Sequence, residues 1–182
     1  RCFDLLEHKV TACLPLSILN DEGIIAGCEG DVPATLTMAL MYHVSSGKPA
    51  FMGNVVWVEE DKAFFAHCTT PTRIMAKFRL RSHFESGLGV AVEGYPRIGE
   101  EVTFARIDPV KRVLRVGVGR VVNSSPISGN VCRTQIQVRT QGNLFKLIEE
   151  PIGNHYVLAP GNVACCLKYV AKLLKLRLET IG

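Results

Sequence analysis

Three short segments place ionisable or hydroxyl side chains beside glycine, proline or a break in pattern, where folds commonly build sites. Cys28-Glu29-Gly30-Asp31 sets two carboxylates in a glycine-containing loop. Such oxygens bind hard cations or move protons, and Asp31 equally suits the N-cap of a following helix. Ala66-His67-Cys68-Thr69-Thr70-Pro71 ends an aromatic-rich run in a histidine followed by two hydroxyls. Gly153-Asn154-His155-Tyr156 leads into another apolar run. One glutamate and two histidines make a mixed oxygen and nitrogen donor set for a divalent cation. Each also has an ordinary structural reading, and spacing alone leaves open whether they meet. His83, between two expected strands, reads as a solvated loop residue. No nucleophile elbow, phosphate-binding P-loop or HExxH helix is present.

The elements that must position these residues change character along the chain. Thr11 to Leu16 and Gly23 to Cys28 are apolar runs bounded by turn formers and predict buried strand-like segments on either side of an Asn20-Asp21-Glu22-Gly23 turn. Glu29 would then sit at a strand's C-terminal end. Pro33 to Val44 predicts a helix with Leu36, Leu40 and Val44 on one face, Asp31 as its cap and Ser45-Ser46-Gly47 as its stop. From Pro49 onward, short strands are expected at 51–58, 63–68, 77–81, 89–94, 101–107, 113–122, 131–139 and 144–148, with 59–62 as a hairpin turn. Their number and alternation suit an antiparallel barrel or sandwich. Gly117 and Gly119 mark a bulge or close packing. A last helix is expected over 162–174, capped by Asn162, with Val163, Cys166, Leu167, Val170, Leu173 and Leu174 as its apolar stripe.

Composition narrows the class. The 182 residues are 47% hydrophobic and 21% charged, which suits a globular chain. The net charge of +4 is spread out rather than gathered, against nucleic-acid binding. Lys111, Arg112 and Arg115 read as a solvated sheet face. The longest apolar run, Val163 to Leu174, is broken by Lys168 and Lys172, so no membrane span or secretory signal is expected. Seven cysteines without CxxC spacing point to buried free thiols in a reducing cytoplasm. The first residue is Arg rather than Met, so a longer parent protein is expected.

Taken in order, the runs Gly27 to Leu40, Ser46 to Asn54, Ala66 to Pro71 and Asn154-His155, together with Gly99-Glu100-Glu101-Val102-Thr103-Phe104-Ala105-Arg106, resemble the C-terminal part of the L-fucose and L-arabinose isomerase superfamily. The resemblance implies an α+β, mainly β fold. Residues 1–48 would be the end of a middle α/β domain, and residues 49–182 a Greek-key-like antiparallel β-barrel with a closing C-terminal helix. It implies a cytoplasmic, divalent-metal-dependent aldose–ketose isomerase, usually with manganese, acting on a small sugar through an ene-diol. The active site would lie at a subunit interface of a homo-oligomer. Glu29 matches the family's first metal-binding and catalytic carboxylate. Asn54 falls where the second is expected, as a ligand and catalytic group, and it is an amide. His155 matches the metal-binding histidine of the fucose type and His67 that of the arabinose type. Asn154, Thr69 and Thr70 fall at substrate-contacting positions. With Asn54 in place of a carboxylate, the alternative is a non-catalytic relative that binds a sugar or sugar phosphate.

Overall fold

The computed structural model describes residues 2–123 and 126–181; Arg1, Ser124, Ser125 and Gly182, and the side chains of Cys2 and Phe3, lie outside the description. After a 3-10 segment, Cys2–His8, the chain forms helix α1 (Cys13–Asp21) where a strand was expected. The buried residues of α1 are Cys13, Ser17 and Asn20, a helical spacing carried by small and polar side chains and therefore invisible in the hydrophobic pattern. The Ser17 hydroxyl donates to the Cys13 carbonyl, and the Asn20 amide bonds both Leu16 and Ala26. Residues 24–27, expected as a strand, are pinned in this way and pair with no strand. Glu29 consequently follows a loop.

Helix α2 (Val32–Val44) begins as expected: the Asp31 carboxylate accepts from the Ala34 amide at 2.9 Å, and Pro33 sits in the first turn. It stops at Ser46 and Gly47, both in the left-handed region at φ 58° and 77°. Its buried face is Ala34, Thr37, Met38 and Met41; of the expected stripe, Leu40 and Val44 are partly buried against the core and Leu36 is exposed.

The β part comprises β1 (Phe51–Val58), β2 (Lys62–His67), β3 (Lys77–Arg81), β4 (Ala91–Tyr95), β5 (Glu101–Asp108), β6 (Val113–Val121), β7 (Thr134–Arg139), β8 (His155–Pro160) and β9 (Arg177–Ile181). Among the described residues, six strands in the order β5-β8-β1-β2-β7-β6 close into an antiparallel barrel through the β5–β6 pairing. The strands β3 and β4 form a separate ribbon. Inward-pointing Phe51, Phe104 and Leu158 fill the barrel, while their neighbours Met52, Ala105 and Val157 point outward against α2 and against α4 (Ala164–Leu173). Both faces of β1, β5 and β8 are thus apolar, because helices cover the outside. Gly117 is the expected close-packing position: a Cβ there would meet the Phe104 ring at 2.1 Å.

Four further expectations change in three dimensions. Residues 144–148 form a turn and the short helix α3 (Lys146–Glu149), with Leu144 and Leu147 buried three apart. Helix α4 buries Leu167 and Ala171 and leaves Leu173 81% exposed, and strand β9 follows it, laid parallel on β6. Arg115 is buried, its guanidinium held by Glu179 of β9 at 2.7 Å. Among the cysteines, Cys13, Cys28 and Cys68 are buried free thiols, whereas Cys165 and Cys166 are exposed on α4.

Candidate functional site

The turn ahead of α2 carries two consecutive left-handed residues, Glu29 at φ 57° and Gly30 at φ 68°. Glycine adopts that backbone freely, whereas a glutamate there costs on the order of 1 kcal/mol and persists only where its surroundings fix it. The turn delivers the Glu29 carboxylate to a pair of strand ends. His67 ends β2 and His155 begins β8; β1 lies between these strands and pairs with both, its Asn54 standing opposite Ala66 and His155. Residues far apart in sequence become neighbours because one central strand sets the register of the two beside it.

The imidazole rings of His67 and His155 lie edge to face with centroids 5.3 Å apart. Their Nε2 atoms stand 3.6 and 3.4 Å from the two Glu29 carboxylate oxygens. Both Nε2 atoms are buried and have no hydrogen-bond partner. These separations are long for hydrogen bonds but suit ligands sharing one ion, since metal–nitrogen and metal–oxygen bonds near 2.1 Å place adjacent donors roughly 3 Å apart. One donor atom from each of Glu29, His67 and His155 lies within 4.8 Å of the others.

The opposite ring nitrogens are occupied. His155 Nδ1 is 2.9 Å from Asp31 Oδ2, so a proton on Nδ1 leaves Nε2 free to act as a ligand. Asp31 is itself held by Arg106, whose Nη1 and Nη2 donate to it at 2.9 and 3.2 Å. Arg106 also donates to the carbonyls of His155 and Ile152 at 2.7 and 3.0 Å. Gly153 makes room for this guanidinium: a Cβ there would lie 1.9 Å from Arg106 Nε. On the other side, His67 Nδ1 meets the Thr69 hydroxyl at 2.7 Å and the Thr69 amide at 3.2 Å.

Electrostatics follow from this packing. The two imidazoles beside Glu29 hold its carboxyl well below the usual carboxylate range against the opposing effect of burial. Burial works against the charged form of His155, but the carboxylates of Glu29 and Asp31 outweigh it and raise its pKa. Burial lowers His67 despite Glu29. Burial would raise Asp31, yet Arg106 and His155 leave it lowered.

Beside the triad opens a small cavity of about 60 Å³ whose wall includes Glu29, Asn54 and His67, together with Cys68 and Cys132. The thiols of Cys68 and Cys132 share a hydrogen bond that lowers the Cys68 pKa. The structure therefore brings Glu29, His67, His155 and Asn54 to one place. Asn54 Oδ1 accepts a hydrogen bond from the exposed Asn154 amide. The expected substrate-contacting hydroxyls behave differently: Thr69 is buried behind His67, and Thr70 is buried with its Oγ1 unpartnered, and neither belongs to the cavity wall. Sequence reasoning weighed Asp31 as a cap or possible cation ligand and missed its contact with His155. It noted Arg106 only within a motif, although a lone arginine in a strand of otherwise small and apolar residues was a signal of a buried partner.

No family model matches the chain. The chain is similar to known sugar isomerases. It is 25% identical over 179 residues to the sulfoquinovose isomerase of Alkalicoccus urumqiensis, covering 93% of this chain and 40% of that protein. It is 23% identical over 173 residues to the sulfoquinovose isomerase of Priestia megaterium, covering 90% of this chain and 39% of that protein. The sulfoquinovose isomerase of Clostridium sp. is 25% identical over 186 residues. The chain thus spans about two fifths of the length of the curated relatives it matches. Among the described residues, no helix is long and apolar enough to cross a membrane.

Proposed function

We propose that the full-length protein is a divalent-metal-dependent aldose–ketose isomerase and that this chain supplies its cation site. The observation that carries this reading is the convergence of two buried, unpartnered imidazole Nε2 atoms on the Glu29 carboxylate. Similarity to sulfoquinovose isomerases over nine tenths of the chain supports the reaction class. Glu29, His67 and His155 would hold the ion, which the resemblance makes manganese. When bound, such an ion polarises sugar oxygens and stabilises the negative charge of an ene-diolate.

The chain's own groups do the rest. Asp31 fixes the His155 tautomer and ring plane, and Thr69 braces His67. The Glu29 carboxylate, ionised at neutral pH, binds the ion or moves a proton between C1 and C2 of the sugar. Asn54 cannot carry that proton. With its Oδ1 engaged by Asn154, it offers its NH₂ to a substrate oxygen. In this reading residues 1–48 complete a larger α/β domain, and a neighbouring subunit of a cytoplasmic homo-oligomer closes the site over the 49–182 barrel.

Assay of the full-length protein with manganese across aldoses tests the proposal. Ketose should form, and Glu29→Gln or His155→Ala should abolish it; full activity in both variants sinks the assignment. The amide at Asn54 favours one second reading, a non-catalytic sugar or sugar-phosphate binder. That protein would bind sugar without turnover, and Asn54→Asp would gain activity.

A further inference from the structure

Cysteines gather at the candidate site. Cys13, Cys28, Cys68 and Cys132 all line the small cavity beside Glu29 and His67, and Cys13, Cys68 and Cys132 pack in one cluster with Ala91 and Phe84. Cys68 directly follows the candidate ligand His67 and is buried. None of these thiols has a part in the isomerase chemistry proposed above.

The pairing of Cys68 with Cys132 follows from the fold. Strands β2 and β7 run antiparallel, and their ladder ends with His67 opposite Thr134. Just past that pair both chains bend, at Cys68 and at Arg133, and Cys132 is the next residue. The Cys68 sulfur accepts hydrogen bonds from the Cys132 thiol and from the backbone amides of Phe84 and Arg133. The Arg133 side chain fixes this corner: its Nε donates to the Ser82 carbonyl at 2.8 Å, and the guanidinium lies over the Phe84 ring. Two sulfurs already in contact, with the backbone held on both sides, need only a short approach to bond.

We propose that Cys68 and Cys132 form a modification site at which a hydroperoxide closes a disulfide, loosening the cation site through His67. One sulfur attacks the peroxide O–O bond and becomes a sulfenic acid, releasing the alcohol, or water when the oxidant is hydrogen peroxide. The second thiol then displaces the sulfenic oxygen as water and forms the S–S bond. The two sulfurs give up two electrons to the peroxide, and the thiol protons leave in the released alcohol and water. A disulfide is shorter than a thiol–thiol hydrogen bond, so closure draws Cys68 toward Cys132 and carries His67 with it. A site holds its ion only while its ligands keep within about 0.5 Å of their geometry. Transient disulfides of this kind are the form that redox control takes in reducing surroundings. The disulfide stands on the geometry of this chain; its effect on the ion rests on the cation reading of the site.

For the test, the full-length protein, reduced and metal-free, is treated with hydrogen peroxide, freed of it, alkylated and digested. Non-reducing mass spectrometry should find a Cys68–Cys132 cross-linked peptide that dithiothreitol releases. Calorimetry on the oxidised protein should show manganese binding weakened roughly tenfold or more, as when a ligand loses its support, and recovered on reduction. Cys132→Ser should abolish the cross-link and the reversible loss of affinity, and Cys13→Ser should keep both. Alkylation of both thiols after peroxide, a bond from Cys68 to Cys13 or Cys28 instead, or a mapped disulfide with unchanged manganese affinity overturns the inference. If the reduced protein binds no manganese, the cation reading fails, while the mapped cross-link still decides the modification site by itself.

Discussion

Arg106 and Arg115 stand directly opposite one another across the β5–β6 pair, and both guanidiniums are spent on one stretch of chain. Arg115 takes the carbonyls of Lys146 and Glu150, and Arg106 those of Ile152 and His155. Two buried like charges side by side are tolerated because Glu179 neutralises one and Asp31 the other. The result is a clamp on residues 146–155, the segment that brings His155 to the site.

Replacing Arg106 with lysine keeps the charge but not the planar fork that serves Asp31 and two carbonyls at once. Urea denaturation should show a loss of about 3 kcal/mol, the scale for breaking a buried pair. Manganese affinity, read by calorimetry, should fall as well; an unchanged midpoint and affinity would remove the clamp from the account.

Asp31→Asn keeps the helix cap and removes the carboxylate that serves both Arg106 and His155. Asparagine caps helices as well as aspartate does, but it leaves the buried Arg106 charge without its counter-ion, so a loss of about 3 kcal/mol in urea denaturation is expected. It cannot provide a carboxylate to His155 Nδ1, and cation affinity should drop roughly 10–100-fold, the usual cost of losing such a support. Affinity equal to that of the parent protein would show that the Asp31–His155 contact does not tune the site.

Gly153→Ala places a methyl group where the Arg106 guanidinium lies, at a backbone φ of 144° that suits glycine. Both the clash and the backbone oppose it. A loss of about 2 kcal/mol or more is expected from these two mechanisms together, with weaker manganese binding as a secondary effect. Chemical unfolding against a neutral control such as Gly129→Ala, which meets no atom within 4 Å, isolates the effect.

In metal-free protein the two site histidines should titrate on opposite sides of the ordinary imidazole value of about 6.5. His155 is raised by Glu29 and Asp31 against burial, so the stability it contributes is complete below that value and is lost as pH rises through its folded pKa. His67 is lowered by burial, so its contribution has the opposite sign: stability falls as pH drops through the ordinary value, where the unfolded chain takes up the proton first. An NMR titration of the imidazole signals, with His155→Ala removing the higher one, checks the assignment. A higher titration that survives this substitution contradicts it.

The sequence by itself determined the strands whose apolar spacing is strong, the capped start of α2 at Asp31, the glycine-permitted turn at Glu29, and the candidate ligands Glu29, His67 and His155. These features are local: a period of two, a cap three residues from its amide, a side-chain type beside a turn. Only the tertiary structure decided that the three ligands meet, because their meeting depends on β1 pairing with both β2 and β8. It also decided what hydrophobic periodicity misreads. Helix α1 buries Ser17 and Asn20, residues 144–148 turn helical with their Lys146 carbonyl on Arg115, and Arg115 itself is buried rather than solvated. In each case a polar group is buried with a satisfied partner, and in the case of Arg115 the partners come from other parts of the chain. The free energy of burying such a group is set by that partner. A pattern read along the sequence contains the group but not the partner, and only the fold supplies it.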